Sequence, residues 1–92
     1  MHFVYILRTS DNRLYIGISQ DLGQRLKAHN QGRGSLFTRV HSQVQMVYSE
    51  SHSTLAAARK REIQLKKWSR AKKETLIAGE FNELRNLSRS HD

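Results

Sequence analysis

Two short apolar runs at the start of the chain constrain its fold more than any other feature. Residues 2–8 read HFVYILR and residues 14–18 read LYIGI, and both are rich in the β-branched and aromatic types that favour strands. The residues SDN at 10–12 stand between the two runs and are typical of a turn. Strands joined by so short a turn pair side by side, so the sequence predicts an antiparallel β-hairpin.

The alternation of side chains along a strand assigns faces to this hairpin. Phe3, Tyr5 and Leu7 share one face of the first strand, and Tyr15 and Gly17 share one face of the second. A tyrosine in a strand is most often a packing residue, and the hairpin alone explains both tyrosines without any catalytic role.

A helix and a third strand are predicted next. Ser19 is a candidate N-cap for a helix that should run to about His29, before a flexible basic loop at 31–35. After a short LFTRV stretch, residues 43–50 alternate in the manner of a strand. The apolar positions of that third strand are Val44, Met46 and Tyr48.

Two further helices are predicted in the C-terminal half of the chain. Ser53 is a plausible cap for a helix that starts near Thr54. Ser69 is the expected cap of a segment that runs to about Ala78 and stops at Gly79. The hairpin, helix, strand and helix order predicts an α/β fold, in which a small three-stranded antiparallel sheet is flanked by about three helices.

The domain is expected to occupy residues 1–80. Residues 81–92 are expected to form a short amphipathic extension and a disordered tail, because the final SRSHD has nothing to bury. A chain of 92 residues is too short for a separate recognition domain, so we expect low intrinsic sequence specificity.

The charge of the chain indicates a polyanionic partner. Lys and Arg total 16 against 8 for Asp and Glu, which gives a net charge of +8. Nucleic acid is the leading candidate, with an anionic membrane surface or a ribosome as the alternatives. No apolar run is long enough for a membrane span and the opening lacks the layout of a signal peptide, so we expect no membrane partner. With no cysteine in the chain, a cytoplasmic location is the default expectation.

Two ionisable side chains lie on an apolar stripe of the first helix. Arg25 and His29 share it with Leu22 and Leu26, at the i, i+3, i+4, i+7 spacing of one helix face. The planar guanidinium of Arg25 could donate two hydrogen bonds to a phosphate, although it could also be the structural partner of a carboxylate. His29 on its own is more often structural than catalytic.

Glu62 is the one acid of the second helix that is placed to face the core side. It shares a face with Leu55, Ala58 and Leu65 in a helix that is otherwise cationic. A surface ion pair with Lys66 is the simpler explanation. A hard divalent cation, however, prefers one or two carboxylates completed by water and phosphate oxygens, so Glu62 is also a candidate metal ligand.

These residues together resemble a known family. The tripeptides VYI at 4–6 and YIG at 15–17, then Arg25 with His29 four residues on, then a helical Glu62, are similar to the active-site signature of the GIY-YIG nucleases. The resemblance is closest to the minimal, single-domain bacterial members, and it covers most of the chain. It implies a divalent-metal-dependent endonuclease.

The resemblance also implies roles for individual residues. Tyr5 would lie near the attacking water as base or orienter, with Tyr15 beside it, and Arg25 would hold the scissile phosphate. Glu62 would bind a single Mg²⁺ or Mn²⁺ that stabilises the leaving oxygen, with His29 assisting proton transfer or phosphate contact.

Further residues are expected to accommodate the substrate. Gly17 would leave room for the substrate backbone to approach. Basic side chains in the loop and the later helices are expected to form a rim that tracks phosphates. These nucleic-acid-binding candidates are Arg33, Arg39, Arg59, Lys66, Lys67, Arg70, Lys72 and Lys73.

One departure from the family pattern supports an alternative function. Several family nucleases have an asparagine about a dozen residues after the glutamate, where this chain has Lys73 and Glu74. The alternative is a nucleic-acid-binding module with weak or no turnover. DNA is favoured over RNA as the partner, and a monomer or weak homodimer is expected.

Overall fold

The computed structural model describes residues 1–30 and 44–79. In chain order the elements of these residues are β1 (His2–Thr9), β2 (Leu14–Ser19), α1 (Leu22–Asn30), β3 (Val44–His52), α2 (Leu55–Lys66) and α3 (Arg70–Ala78). The strands form one antiparallel sheet in the order β2-β1-β3. The predicted α/β architecture, with a three-stranded sheet and three helices, is confirmed.

The predicted hairpin joins β1 to β2. Its turn closes with a hydrogen bond from the Asn12 backbone N–H to the Thr9 carbonyl at 2.9 Å, and Asn12 takes the left-handed φ of 66° that asparagine tolerates better than most residues. The register places Tyr5 opposite Gly17. This pairing puts the bulkiest side chain of β1 beside a residue that has none.

β3 departs from the simple alternation that the sequence predicted. Its register against β1 shifts between Ile6 and Leu7, which pair with Tyr48 and Met46. Val47 is thereby left as an extra residue, in the manner of a β-bulge. The third strand is confirmed, but Tyr48 packs on the opposite side of the sheet from Met46, so the predicted alternation is interrupted at the bulge.

Two of the predicted helix caps were wrong by one or two residues. Asp21, not Ser19, caps α1, because its carboxylate accepts the backbone N–H three residues on at 3.0 Å. The Ser19 hydroxyl accepts from the Asp21 N–H instead, at 3.0 Å. Thr54, not Ser53, caps α2 in the same way at 3.1 Å. In each case the cap is the residue immediately before the first helical turn.

The limits of α3 agree with the sequence. The Ser69 hydroxyl accepts the backbone N–H of Lys72 at 3.2 Å and so caps the helix. Gly79 ends it with a φ of 75°, a left-handed conformation that glycine adopts without steric cost.

β1 is the central strand, and it is buried on both faces. Val4 and Ile6 face α2 and α3, whereas Tyr5 and Leu7 face α1, and all four are fully buried. The first face packs on Ile16, Ala58, Leu65 and Leu76. The second packs on Val44, Tyr15, Leu22, Leu26 and Met46.

Several predictions concern residues outside the described ranges. They are the basic loop at 31–35 with Arg33, the stretch that contains Arg39, and the extension and tail at 81–92. Among the described helices, none is both long and apolar enough to cross a bilayer.

Candidate active site

Four elements of the fold contribute side chains to one pocket of about 320 Å³. β1 provides Tyr5, β2 provides Tyr15, α1 provides Arg25 and α2 provides Glu62. These residues are distant in sequence, and the two helices that contribute to the pocket, α1 and α2, pack on opposite faces of the sheet. The remaining lining residues are Gly17, Ile18, Leu55 and Arg59.

A chain of hydrogen bonds runs through the Tyr5 hydroxyl. The Nε of Arg25 donates to this oxygen at 3.3 Å, and the Nε2 of His29 lies 3.2 Å from it. Because arginine can only donate, the Tyr5 proton points to His29 when Nε2 carries none. The Tyr5 oxygen keeps a second lone pair, which can accept a proton.

The surroundings set the protonation of both groups. Burial raises the pKa of Tyr5 and outweighs the opposing effect of the Arg25 guanidinium, so Tyr5 is a neutral phenol at neutral pH. Burial and the Arg25 charge both lower the pKa of His29, which keeps the imidazole neutral. A neutral His29 can accept the proton of Tyr5.

Aromatic contacts hold this group in place. The ring of Tyr15 lies 6.5 Å from the Tyr5 ring and 5.4 Å from the His29 ring, in both cases between ring centroids. Tyr5 and His29 meet edge to face at 6.1 Å. His29 is fully buried behind the two tyrosines and does not line the pocket itself. The three rings form a rigid wall on the α1 side of the sheet.

Gly17 is required by Tyr5. A Cβ atom at Gly17 would stand 2.5 Å from the Tyr5 hydroxyl oxygen and 2.6 Å from its Cζ. The space over Gly17, which was predicted to admit the substrate backbone, is therefore occupied by the Tyr5 ring of the same chain.

Glu62 takes part in both of the arrangements that the sequence left open. Its carboxylate receives Lys66 Nζ at 3.3 Å, which is the i,i+4 ion pair, and the residue also lines the pocket. The Glu62 side chain is 21% exposed and that of Lys66 is 55% exposed. Such a pair contributes only a few tenths of a kcal/mol, so Lys66 can leave Glu62 at little cost.

The pocket suits a cation held by one protein carboxylate. No group of three or more His, Cys, Asp or Glu side chains that could hold a metal occurs in residues 1–30 and 44–79. Mg²⁺ keeps several waters and is often bound by one or two carboxylates together with substrate phosphates. Glu62 beside Arg25 and Arg59 fits an ion that binds together with a phosphate, and it would be the ligand.

The basic residues proposed for nucleic acid occupy several places. Arg59 lines the active-site pocket, whereas Lys67 and Lys72 line a different groove, between α2 and α3. Arg70 is tied to Glu74 at 2.9 Å and to the Asn12 carbonyl at 2.8 Å. Lys73 is partly buried.

A polar network on the other side of the sheet was not predicted from the sequence. The Glu50 carboxylate accepts hydrogen bonds from Tyr48 at 2.7 Å and from the Nε of Arg61 at 3.0 Å, and it lies 2.6 Å from His52 Nε2. Burial acts to raise the pKa of Glu50, but these bonds outweigh it and hold that pKa below its usual value. The available signal was the two-residue spacing of these β3 side chains, which puts them on one face.

A second missed contact anchors α3. The Arg8 guanidinium donates to both carboxylate oxygens of Glu74, which Arg70 also contacts. These bonds, with Arg8 first, lower the pKa of Glu74 to about 2. Glu74 is committed to joining α3 to β1, and it is not among the residues that line the pocket.

Comparisons with known proteins agree with this geometry. Residues 1–75 match the family described as the GIY-YIG catalytic domain. UPF0213 proteins of Staphylococcus aureus strains Mu50 and N315 are each 43% identical over 76 residues, which is 83% of this chain and 93% of theirs. The solution NMR structure of a UPF0213 protein from Bacillus halodurans is 34% identical, with a TM-score of 0.55, and the match covers 84% of this chain and 82% of that chain.

Proposed function

We propose, since this chain belongs to the GIY-YIG catalytic domain family of nucleases, that it is a divalent-metal-dependent endonuclease that hydrolyses phosphodiester bonds in DNA. One observation carries the proposal. Tyr5, Tyr15, Arg25 and Glu62 come from four separate elements and line a single open pocket. A guanidinium can bind the phosphate, a phenol can accept a proton from water and a carboxylate can hold a divalent metal ion, which together suffice for phosphodiester hydrolysis.

The scissile phosphate binds to Arg25. Because the same guanidinium donates to Tyr5, it places the phosphate next to the Tyr5 hydroxyl. The planar fork of arginine matches two phosphate oxygens, and Arg59 at the pocket wall adds a second positive charge. Both cations also stabilise the charge that develops on the phosphate during attack.

Tyr5 and His29 move the proton of the attacking water. As water attacks phosphorus, its proton passes to the Tyr5 oxygen, while the original Tyr5 proton passes to His29 Nε2 at 3.2 Å. Tyr5 thus acts as a base without a stable phenolate, which its raised pKa would oppose. A Mg²⁺ or Mn²⁺ ion bound to Glu62 would supply stabilisation of the leaving oxygen.

The substrate preference follows from what surrounds the pocket. The net charge of +8 favours a polyanion, and contacts to phosphate carry no sequence information. We therefore expect the enzyme to cut with low intrinsic sequence specificity.

The test is nicking of supercoiled plasmid by the parent protein, Glu62→Gln and Glu74→Gln, with Mg²⁺, with Mn²⁺ and with EDTA. Both variants remove one helical carboxylate, but only Glu62 lines the pocket. The parent and Glu74→Gln should nick at similar rates with metal and not with EDTA, and Glu62→Gln should be slower by roughly 10²-fold or more.

Two results would contradict the proposal. Nicking by Glu62→Gln at the parent rate would remove Glu62 from the mechanism. Absence of nicking by the parent, together with retained salt-sensitive DNA binding, would favour the alternative of a nucleic-acid-binding module that lacks turnover. That alternative rests on Glu74, which occupies the region of the family asparagine and is held by Arg8 and Arg70.

A further inference from the structure

α2 presents two accessible faces, and only one of them belongs to the active site. Leu55, Arg59 and Glu62 line the active-site pocket. Lys60 and Lys67 lie about a third of a turn further round the helix axis and line a second groove against α3. The two concave sites therefore lie side by side, with one helix as their common wall.

The second groove is larger than the active site and cationic. Its volume is about 640 Å³, against about 320 Å³ for the active-site pocket. No acidic side chain is among its described lining residues. The lining residues that matter here are Lys60, Ile63, Lys67, Trp68, Ser69 and Lys72.

Lys72 is the observation that points to a ligand. Only 7% of this residue is exposed, and its ammonium lies 4.3 Å from the centre of the Trp68 ring. Within the described part of the chain, no hydrogen bond or ion pair engages that ammonium. Since no fully buried side-chain nitrogen in the described residues lacks a partner, this ammonium opens onto the groove, where the Trp68 ring contacts it and no described carboxylate balances its charge. An anion in the groove would supply the missing partner.

The start of α3 favours the same kind of ligand. Ser69 caps the helix at the groove, and the nine-residue helix directs its first backbone N–H groups and the positive end of its dipole there. Helix N-termini with this arrangement bind phosphates readily. Three lysines and a helix N-terminus thus converge on one space.

Ile63 connects this space to the active site. It is 55% exposed and lies between Arg59 and Lys60 around the helix, so a chain that passes from one site to the other must cross it. An apolar side chain there suits the sugar and base of a nucleotide whose phosphates contact the basic residues on either side. An acidic peptide would not need the second, catalytic site beside it.

We propose that the groove between α2 and α3 binds a second phosphate of the same nucleic-acid strand, a short distance along the strand from the bond that is cut. The proposal rests on the proposed nuclease function, and it adds a subsite that determines how much flanking strand the protein requires. Lys60, Lys67 and Lys72 with the N-terminus of α3 hold the phosphate, and Ile63 contacts the intervening nucleotide.

The single tryptophan of the chain provides a local readout, because Trp68 lines the groove. A short single-stranded DNA oligonucleotide is titrated into the protein in EDTA while Trp68 emission and fluorescence anisotropy of the labelled DNA are followed at several salt concentrations. The groove variant is Lys60→Gln with Lys67→Gln. The control variant is Arg13→Gln with Lys27→Gln, which removes the same charge from exposed positions outside the groove.

The parent and the control variant should show the same salt-sensitive change of Trp68 emission. The groove variant should need roughly tenfold more DNA, and the slope of its log affinity against log salt should fall by about 0.7, as the loss of one phosphate contact predicts for a single strand. Equal losses in the two variants would overturn the proposal, because they would reflect net charge alone. Absence of any Trp68 response in the parent would also overturn it.

Two further comparisons distinguish this proposal from an acidic protein partner and from the proposed catalysis. Polyglutamate that binds with the same dependence on Lys60 and Lys67 would reassign the groove to an acidic protein partner and overturn the proposal. Because the titration is done without metal, it does not depend on cutting. A protein that binds through the groove but never nicks plasmid would refute the proposed catalysis and leave the groove as a nucleic-acid site.

Discussion

The two faces of β1 bury different chemistry. Val4 and Ile6 pack against α2 and α3 in a cluster that contains only apolar side chains among its fully buried members. Tyr5 lies between these two residues in the strand, but its hydroxyl points to Arg25 and His29 on the side of α1. Within β1, Val4 and Ile6 therefore belong to the apolar core, and Tyr5 belongs to the candidate active site.

The two faces of β1 contribute to stability in different ways, one through burial of apolar area and the other through buried hydrogen bonds. Burial of apolar area on the Ile6 face stabilises the fold, and none of the buried core residues of that face lines the pocket. On the Tyr5 face, burial of polar groups is tolerated because each is hydrogen-bonded, and no buried side-chain nitrogen or oxygen in the described residues lacks a partner. We therefore expect stability and activity to respond to different substitutions.

The largest effect on stability is expected on the apolar face. Leu65 is fully buried there, so Leu65→Ala should lower the free energy of unfolding by about 2 to 5 kcal/mol. Urea denaturation measures the loss, and nicking per folded molecule should stay at the parent rate. Ile6→Val, at about 1 kcal/mol, serves if the larger change prevents folding. A rate that falls in proportion to stability would show that the faces are not independent.

Two glycines sharpen the comparison. Gly17→Ala brings a Cβ to 2.5 Å from the Tyr5 oxygen, so it should cost about 1 to 3 kcal/mol and displace Tyr5, with loss of nicking. Gly79→Ala meets no atom within 4 Å and suffers only from its φ of 75°, so it should cost about 1 kcal/mol and leave nicking unchanged. Nicking by Gly17→Ala at the parent rate would show that the position of Tyr5 does not matter.

The smallest effect concerns pH. The pKa of Glu74 falls from 4.5 to about 2 in the folded protein, so its contribution to stability is present above pH 4.5 and is lost as the pH falls toward 2. Glu74→Gln should be less stable than the parent by about 1 kcal/mol at most, because these ion pairs are partly exposed to solvent. The difference, followed by thermal unfolding, should close between these two pH values. A gap that persists at the lower value would rule out the ion pairs as its source.

Tyr5 predicts the opposite direction at high pH. Its pKa is raised in the folded state, chiefly by burial, so any stability linked to it is present below pH 10 and is lost as the pH rises further. Burial also raises the pKa of Tyr48, to about 12, so alkaline sensitivity is expected from both sides of the sheet.

Much of the fold could be predicted because local signals agreed with it. The hairpin, the end of α3 at Gly79 and the cap at Ser69 follow from turn and capping chemistry. The bulge at Val47 could not be predicted, because it depends on how β3 pairs with β1 and not on its own alternation. The caps at Asp21 and Thr54 were missed because several neighbouring polar residues could serve.

The candidate site was predicted only in part from spacing. The helical stripe of Arg25 and His29 places both on the sheet side of α1, but their meeting with Tyr5 and Glu62 came from the family resemblance. Lys72 was assigned to a rim that tracks phosphates, and a run of basic residues does not reveal that one of its ammonium groups lies over Trp68. The position of such a side chain depends on contacts between segments that are distant in the sequence.

The most direct test of the separation between the two faces compares two tyrosines. Tyr5 and Tyr48 both form side-chain hydrogen bonds, but on opposite sides of the sheet, and only Tyr5 lines the pocket. Tyr5→Phe and Tyr48→Phe are assayed for plasmid nicking and urea stability on the same preparations. Tyr5→Phe should lose about 10²-fold or more in nicking rate, with a loss of stability of about 1 to 3 kcal/mol because it removes a hydrogen bond to the fully buried His29. Tyr48→Phe should lose about 1 kcal/mol of stability and nick at the parent rate. Nicking by Tyr5→Phe at the parent rate, or loss of nicking by a folded Tyr48→Phe, would contradict the account.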